Sequence, residues 1–596
     1  MCGLCGELRF DGVAPDRGAL DRMCAALVAR GPDDGGSWRE GAVALGHQRL
    51  SIIDLTAQAR QPMRDEALGL TLVFNGTIYN YLSLRAELLE RGYVFFSESD
   101  SEVILKAYHA WGLEALSRLD GMFAFALWDS NARRLVLARD RFGIKPLYFS
   151  QDARRFRFAS SLPALLAGGG LSGALDSTAL QFQFTLHGSV PAPWTILRDA
   201  RKLLPASVLV IEENGRAREQ VYWRLDARRP EEGEPEEEER IAAVRKALDA
   251  AVRSHRAAAD VPVGVLLSGG LDSSLLVALL AAQGEREIRT FSIGFADQPE
   301  ESGNEFLYSD LVARHFGARH RRYLMSDRDL LEHLPQVFSA MSEPMFSQDN
   351  VAFYLLAREV RQEVKVALSG QGADEVFGGY YWYPRILAED ERLPMAERVA
   401  RHYFDRSYAD YLDLFSAEFR AQSQRDMVTP FIQKGLEAPG ADTFADQVLR
   451  LDATTLIVDD PVKRIDNMTM AHGLEARVPF LDRTLVETAM RLDPLFRLRE
   501  NGKYPLKKIA RALLPAGIID RPKGYFPTPV LKYLRGGALE YVRDLLESSA
   551  CRARGLYNRE KMARMLSAPM SDFTPLEGNS LWHLAALEGW LEAHDL

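Results

Sequence analysis

The stretch Leu266-Leu267-Ser268-Gly269-Gly270-Leu271-Asp272-Ser273-Ser274 constrains the fold of this chain more than any other. Residues 261–267 before it are an apolar run that reads as a buried parallel strand, and residues 275–280 after it read as a buried helix. A strand that turns through two glycines into a helix start leaves several backbone N–H groups without an intrahelical partner. With the positive end of the helix dipole, those donors form an anion site. Ser268, Ser273 and Ser274 add hydroxyl donors. Asp272 is the anomaly, because a carboxylate in an anion cradle repels its ligand unless a cation lies between them. The combination points to a metal-bridged nucleotide pyrophosphate. It is not a Walker loop, since no Gly-Lys-Ser/Thr follows the glycines.

A chain of 596 residues is too long for one core, so two large domains, or three, are expected. Its 47% apolar and 26% charged content is that of a water-soluble globular protein. A net charge of −10 supplies no basic surface for nucleic acid or membrane. No apolar run approaches a membrane span, and no charged-then-apolar leader pattern opens the sequence. Four cysteines (Cys2, Cys5, Cys24, Cys551) are too few and too uneven for a disulfide framework. These features imply a cytoplasmic protein with reduced thiols.

The second strong signal is the start, Met1-Cys2-Gly3-Leu4-Cys5-Gly6. Removal of the methionine makes Cys2 a terminal residue carrying both a thiol and an α-amine, and the amine can take the proton the thiol must lose. Cys5, Cys24 and Cys551 read as small core residues. Arg49 in His47-Gln48-Arg49-Leu50-Ser51-Ile52 puts a cation inside an apolar strand, where it is costly without a partner. Val73-Phe74-Asn75-Gly76 places an amide and a glycine N–H at a strand end, the two donors a tetrahedral oxyanion needs. Asp100 reads either as a helix N-cap or as a site residue.

Together with Arg30-Gly31-Pro32-Asp33 and residues 120–126 and 138–148, these stretches resemble the class II glutamine amidotransferase domain. The resemblance covers residues 2–205. It implies an α+β N-terminal-nucleophile fold, two antiparallel sheets stacked between helices. It further implies that Cys2 attacks the glutamine amide, releasing ammonia and leaving a glutamyl thioester. Asn75 and Gly76 then form the oxyanion hole, while Arg49 and Asp100 hold the glutamine α-carboxylate and α-ammonium. Residues 206–240 read as connecting strands followed by a solvated acidic linker, and an amphipathic helix is expected over 240–256.

Beyond the loop, strand-like runs at 289–295 and 365–369 alternate with helical stretches. That alternation predicts a doubly wound parallel α/β domain over 241–535, with its ligand at the carboxyl ends of the strands. Such a sheet brings Ser268-Gly269-Gly270 and Ser369-Gly370-Gln371-Gly372-Ala373-Asp374 to one edge. The loop is similar to that of enzymes splitting ATP into AMP and pyrophosphate. With Ala476-Arg477-Val478-Pro479-Phe480-Leu481-Asp482 added, the chain resembles the asparagine synthetase family over residues 2–535. The resemblance implies an ATP site made by Leu267, Ser268, Gly269, Gly270, Asp272, Ser273, Ile293, Ser369, Gly370 and Lys507. It also implies magnesium on Asp272 and Asp374, an acyl-adenylate site at Gln371, and an internal, mostly apolar passage for ammonia between two sites. A homodimer is compatible with it.

The family's usual Ser-Gly-Glu-Gly is Ser-Gly-Gln-Gly here, and a neutral Gln371 cannot anchor an ammonium. The segment Arg521-Pro522-Lys523-Gly524-Tyr525-Phe526-Pro527-Thr528-Pro529 also departs from the family's usual text. Residues 301–310 and 186–193 resemble the branch that amidates N-acetylglutaminylglutamine, an osmoprotectant dipeptide, so that acceptor is expected ahead of free aspartate. Amide transfer to a sugar phosphate or phosphoribosyl pyrophosphate is disfavoured by the adenylating loop, and a non-catalytic scaffold by the intact site residues. Residues 536–596 read as a helical tail.

Overall fold

The strand Cys2–Arg9 pairs antiparallel with both Val43–Arg49 and Arg155–Ala159, so its side chains are buried on both faces of a sheet. The computed structural model that shows this describes residues 2–596 except 232, 234, 298, 300, 301, 424 and 521–527. Most of the 521–529 departure and the start of the 301–310 stretch therefore lie outside the described residues.

Two six-stranded sheets make the front of the molecule. Leu4, Leu8, Leu45 and Phe158 of one interdigitate with Val73, Ala126, Leu137 and Ile211 of the other, forming a dry core between them. Helices Arg17–Ala25 and Leu162–Ala167 cover the outer face of the first sheet, and Tyr81–Glu90 and Asp100–Trp111 cover that of the second. The layers are helix, sheet, sheet, helix, as expected. The boundary differs. Ser207–Glu212 and Ala217–Val221 pair antiparallel and join the second sheet through Arg134–Arg139, so the sheet runs past residue 205.

The helix expected over 240–256 starts earlier, at Glu237, and ends at Ala257. Three glutamates in its first turn complement the helix dipole, so the end of the acidic run is drawn into the helix. Glu237 also accepts from Tyr504 Oη at 2.7 Å and from Arg499 at 3.0 Å.

Five parallel strands build the second domain, in the spatial order Arg319–Met325, Arg289–Phe295, Val263–Leu266, Val366–Leu368, Glu475–Arg477. In chain order this is 3-2-1-4-5. The direction of winding reverses between Val263–Leu266 and Val366–Leu368, the position where doubly wound sheets open a crevice at their carboxyl ends. The last helix, Ser580–Ala593, is not an appended tail: Trp582 and Trp590 are buried and donate their indole N–H groups to Phe346 O (2.8 Å) and Met341 O (2.9 Å). Among the described residues no helix is long and apolar enough to cross a membrane.

The two domains meet through buried charge. Asp466 accepts from Arg30 (2.9 Å) and Lys145 (3.1 Å), and Thr77 Oγ1 donates to Glu475 at 3.1 Å, beside Arg477.

Candidate active site

The strand register places Cys2 opposite Arg49. The cysteine is 6% exposed, and burial pushes its thiol above the ordinary value. Its backbone nitrogen, which becomes the α-amine once Met1 is removed, donates to Asn75 Oδ1 at 3.0 Å. Asn75 is fully buried, and its Nδ2 has no hydrogen-bond partner among the described residues. A buried donor left unpaired costs stability unless a ligand takes it. Gly76 follows in the same strand, Leu70–Ile78. Arg49 donates to Thr56 O at 3.0 Å and to Asp54 O, which fixes the guanidinium against the loop after its strand.

Asp100 is not the helix cap. Ser99 caps Asp100–Trp111 by accepting from Glu102 N, whereas Asp100 Oδ2 accepts from Ile78 N at 3.0 Å. The carboxylate thereby lies against the end of the strand bearing Asn75 and Gly76. Burial raises it to about 6. Cys5 and Cys24 have their sulfurs 3.5 Å apart on the other side of the sheet, and Cys551 is buried; none belongs to this site.

At the sheet crevice of the second domain lies a cavity of about 960 Å³. Leu267, Ser268, Gly270, Asp272, Ser273, Ser369, Gly370, Gln371 and Asp374 line it. The two Gly-rich turns thus meet, as the topology requires. The hydroxyls act differently from expectation. Ser268 Oγ accepts from Gly270 N (3.2 Å) and Ser273 Oγ from Ser268 N (3.2 Å), so they brace the loop, while Ser274 is fully buried. Gly269 has φ +78°, and a Cβ there would lie 2.5 Å from Ser309 N. That close packing requires glycine, and the residue is not among those lining the cavity. Neither is Ile293; its neighbour Ser292 lines the cavity and donates through Oγ to Leu267 O.

The main departure is the lysine. Lys507 stands at the cavity rim with its Nζ on Glu500 O. Lys503, by contrast, is buried and donates to Asp272 Oδ2 at 2.6 Å and to Asp374 Oδ1 at 2.8 Å. Burial alone would lower its basicity, but the two carboxylates raise it above the ordinary lysine value. A Cβ on Gly379 would fall 2.2 Å from Asp374 Oδ1 and 2.3 Å from Lys503 Cε, so only glycine permits this closure. The signal for Lys503 was present: Gly502-Lys503-Tyr504-Pro505 marks a helix start, with Lys503 at the cap (φ +57°) aimed away from the helix face. Glu375, buried beside Asp452 and Asp374, is pushed up to about 8 by burial and accepts from Tyr380 Oη at 2.8 Å.

Asp272 and Asp374 both lie within 3 Å of one cationic nitrogen. The pair thus already holds one cation, Lys503 Nζ, and two carboxylates beside a cavity with room for phosphate oxygens and water are a donor set that suits magnesium where that ammonium turns to phosphate.

Comparison with known proteins gives matches along most of the chain. Residues 243–592 match the asparagine synthase family and residues 1–223 the glutamine amidotransferase domain. The chain is 32% identical to glutamine-hydrolysing asparagine synthetase 1 of Bacillus subtilis over 588 residues, covering 92% of this chain and 90% of that one. It is 29% identical to asparagine synthetase 3 of the same organism, covering 100% and 99%. Asparagine synthetase B of Escherichia coli is 29% identical, covering 88% and 82%.

Proposed function

The chain belongs to the asparagine synthase family, as an ATP-dependent amide ligase with a glutamine amidotransferase domain in front, and from that premise we propose how its two sites work and what they amidate. The observation that carries the proposal is the pairing, in one molecule, of a buried Cys2 beside an Asn75 amide whose Nδ2 has no partner among the described residues with a crevice holding both Gly-rich turns.

In the first site the α-amine of Cys2 takes the thiol proton, which burial makes hard to lose to water. The sulfur attacks the glutamine side-chain carbonyl, and Asn75 Nδ2–H, with the Gly76 N–H, receives the developing oxyanion. Ammonia leaves, and water releases glutamate from the thioester. Arg49 and Asp100 hold the two charges of the amino-acid end.

In the second site an acceptor carboxylate attacks the α-phosphorus of ATP, giving an acyl-adenylate and pyrophosphate. Lys503 and the N–H groups of the 268–274 loop meet the phosphate charge. Magnesium held by Asp272 and Asp374 supplies further neutralisation when bound. Ammonia then attacks the acyl carbon and AMP departs, leaving an amide. Gln371 supports an acceptor without a free ammonium at that point, and we assign N-acetylglutaminylglutamine. Free aspartate is the second reading, favoured by the names of the relatives. The test is purified enzyme with ¹⁵N-amide glutamine, ATP and magnesium, offered each acceptor in turn. Labelled dipeptide amide is the expected product by mass; labelled asparagine alone reverses the assignment.

Asp100 gives a pH prediction. Its pKa is raised to about 6, so it is charged above that pH and neutral below it. Only the charged form pairs with the glutamine α-ammonium. The kcat/KM for glutamine should therefore fall about tenfold per pH unit below 6, while ammonia-dependent synthesis lacks that limb. Persistence of the limb in Asp100→Asn contradicts the assignment.

A further inference from the structure

Three segments far apart in the sequence meet beside the cavity: His187 and His583 line it, and the buried Asp405 lies behind them. Their ligand atoms all lie within 4.8 Å of one another, a spacing that suits a metal. Arg406 opposes that reading. Its guanidinium donates to His583 Nδ1 at 3.2 Å, to Ser580 Oγ at 2.7 Å and to Phe184 O at 3.0 Å. The lone pair of His583 Nδ1 is thus occupied, and a permanent cation stands where a metal would bring more positive charge. Beside that guanidinium the buried His583 is held neutral, its ring stacked on Phe346 with centroids 4.5 Å apart.

His187 is the opposite case. Its Nδ1–H donates to Asp405 Oδ2 at 3.1 Å, and Asp405 is fixed in turn by its backbone N–H to Thr185 O at 2.8 Å. Burial works against a charge on this imidazole, but the Asp405 carboxylate prevails, holding His187 at about 9 and itself at about 2. The other charged groups near it are Asp460, Asp349 and Arg464, with Arg406 behind the neutral His583. Arg464 lies 3.3 Å from Asp460 and 3.8 Å from Asp349, which engages both carboxylates. His187 Nε2 has no hydrogen-bond partner among the described residues, and its side chain is 25% exposed where it lines the cavity. The backbone adopts φ +51° there, followed by Gly188 at φ +85°, an unfavourable turn that delivers the ring from the first domain into the second domain's crevice.

We propose that His187 is an acceptor-recognition residue, its Nε2–H donating to a carbonyl or carboxylate oxygen of the molecule to be amidated. A fixed imidazolium repels an ammonium and attracts an oxygen, so it selects acceptors whose amine is acylated. This deepens the acceptor assignment above and rests on it. Asp405 is the positioning residue that keeps the imidazole charged.

The test uses the full-length enzyme with N-acetylglutaminylglutamine, across pH 6–10, in wild type, His187→Asn and Asp405→Asn. Asparagine tolerates a positive φ and is neutral. We expect His187→Asn to raise the acceptor KM by about 10- to 100-fold, as for loss of a charged hydrogen bond, with ATP KM and glutamine hydrolysis within about twofold. Wild-type acceptor kcat/KM should fall above pH 9, where His187 loses its proton. In Asp405→Asn that alkaline limb should move down toward about 6.5, the ordinary histidine value. A merely structural role does not move the limb. An unchanged acceptor KM in His187→Asn, an unmoved limb in Asp405→Asn, or stoichiometric zinc retained after addition of zinc alone each overturns the proposal. If His187→Asn melts early, the wild-type profile decides, and a flat acceptor KM to pH 10 overturns it. If wild type forms no dipeptide amide, the acceptor assignment fails separately. Calorimetric binding of the dipeptide to wild type and His187→Asn then decides the subsite, and equal affinities or no binding overturn it.

Discussion

Cys2→Ala should lose glutamine-dependent amide formation by on the order of 10³-fold or more while keeping synthesis from added ammonium salts. No other cysteine can substitute, because Cys5 lies on the opposite face of the same strand, 3.5 Å from Cys24, and Cys551 is buried in the short helix Ser549–Arg554. The substitution leaves the main chain able to pair with Arg49 and to donate to Asn75 Oδ1, so the sheet persists. The expected cost to folding is small, about 1 kcal/mol for the lost sulfur contact. The adenylating crevice is made wholly of other residues, and its turnover with external ammonia depends only on their geometry. The measurement is amide product with glutamine and with ammonium chloride, beside a thermal melt. Equal loss of both activities in a well-folded variant overturns the two-site scheme.

Asp272→Ala should show the reverse pattern, with pyrophosphate release lost by on the order of 10³-fold and glutamine hydrolysis retained. Asp272 and Asp374 share Lys503, so removing one carboxylate leaves the ammonium still paired at 2.8 Å. The buried charge is not orphaned, and the fold should survive, unlike the usual case where half of a buried pair is removed at about 3–5 kcal/mol. Lys503→Met provides the partner experiment. It removes the cation between two carboxylates and should also abolish ATP–pyrophosphate exchange, whereas Lys507→Met at the rim should reduce it by no more than about tenfold, as for one exposed charge. Greater loss in Lys507→Met than in Lys503→Met reverses the assignment of the phosphate-binding lysine.

Much of the layout was legible because local chemistry carries it. An apolar run, two glycines and a buried helix require a strand-turn-helix anion site wherever they occur, and the strands near 289–295 and 365–369 follow from the same alternation, whereas Arg319–Met325 and Glu475–Arg477 at the sheet edges emerge only in the structure. Cys2, Asn75 and Asp100 could be named for their chemical types. Where local signals compete, the reading slipped. Asp100 read equally as a cap or a site residue until the structure showed Ser99 making the capping bond, and the strands at 207–221 looked like connections because their partner, Arg134–Arg139, is distant in sequence. Lys507 was named from the motif, and only the fold shows that Lys503, at the same helix start, is the lysine Gly379 admits between the carboxylates, which makes it the rival candidate for phosphate.

By itself the sequence determined the chemistry available: a terminal thiol, a loop for phosphates, and neutral Gln371 in place of an acid. Tertiary structure alone decided which groups share a wall and in what charge state. His187, Asp405 and His583 come from three segments more than 170 residues apart and show no common periodicity. Their ionisation is set by burial and by Arg406, Asp460 and Arg464, neighbours brought there by the packing of separate helices. A pKa is a property of surroundings within a few ångströms, and those surroundings are non-local.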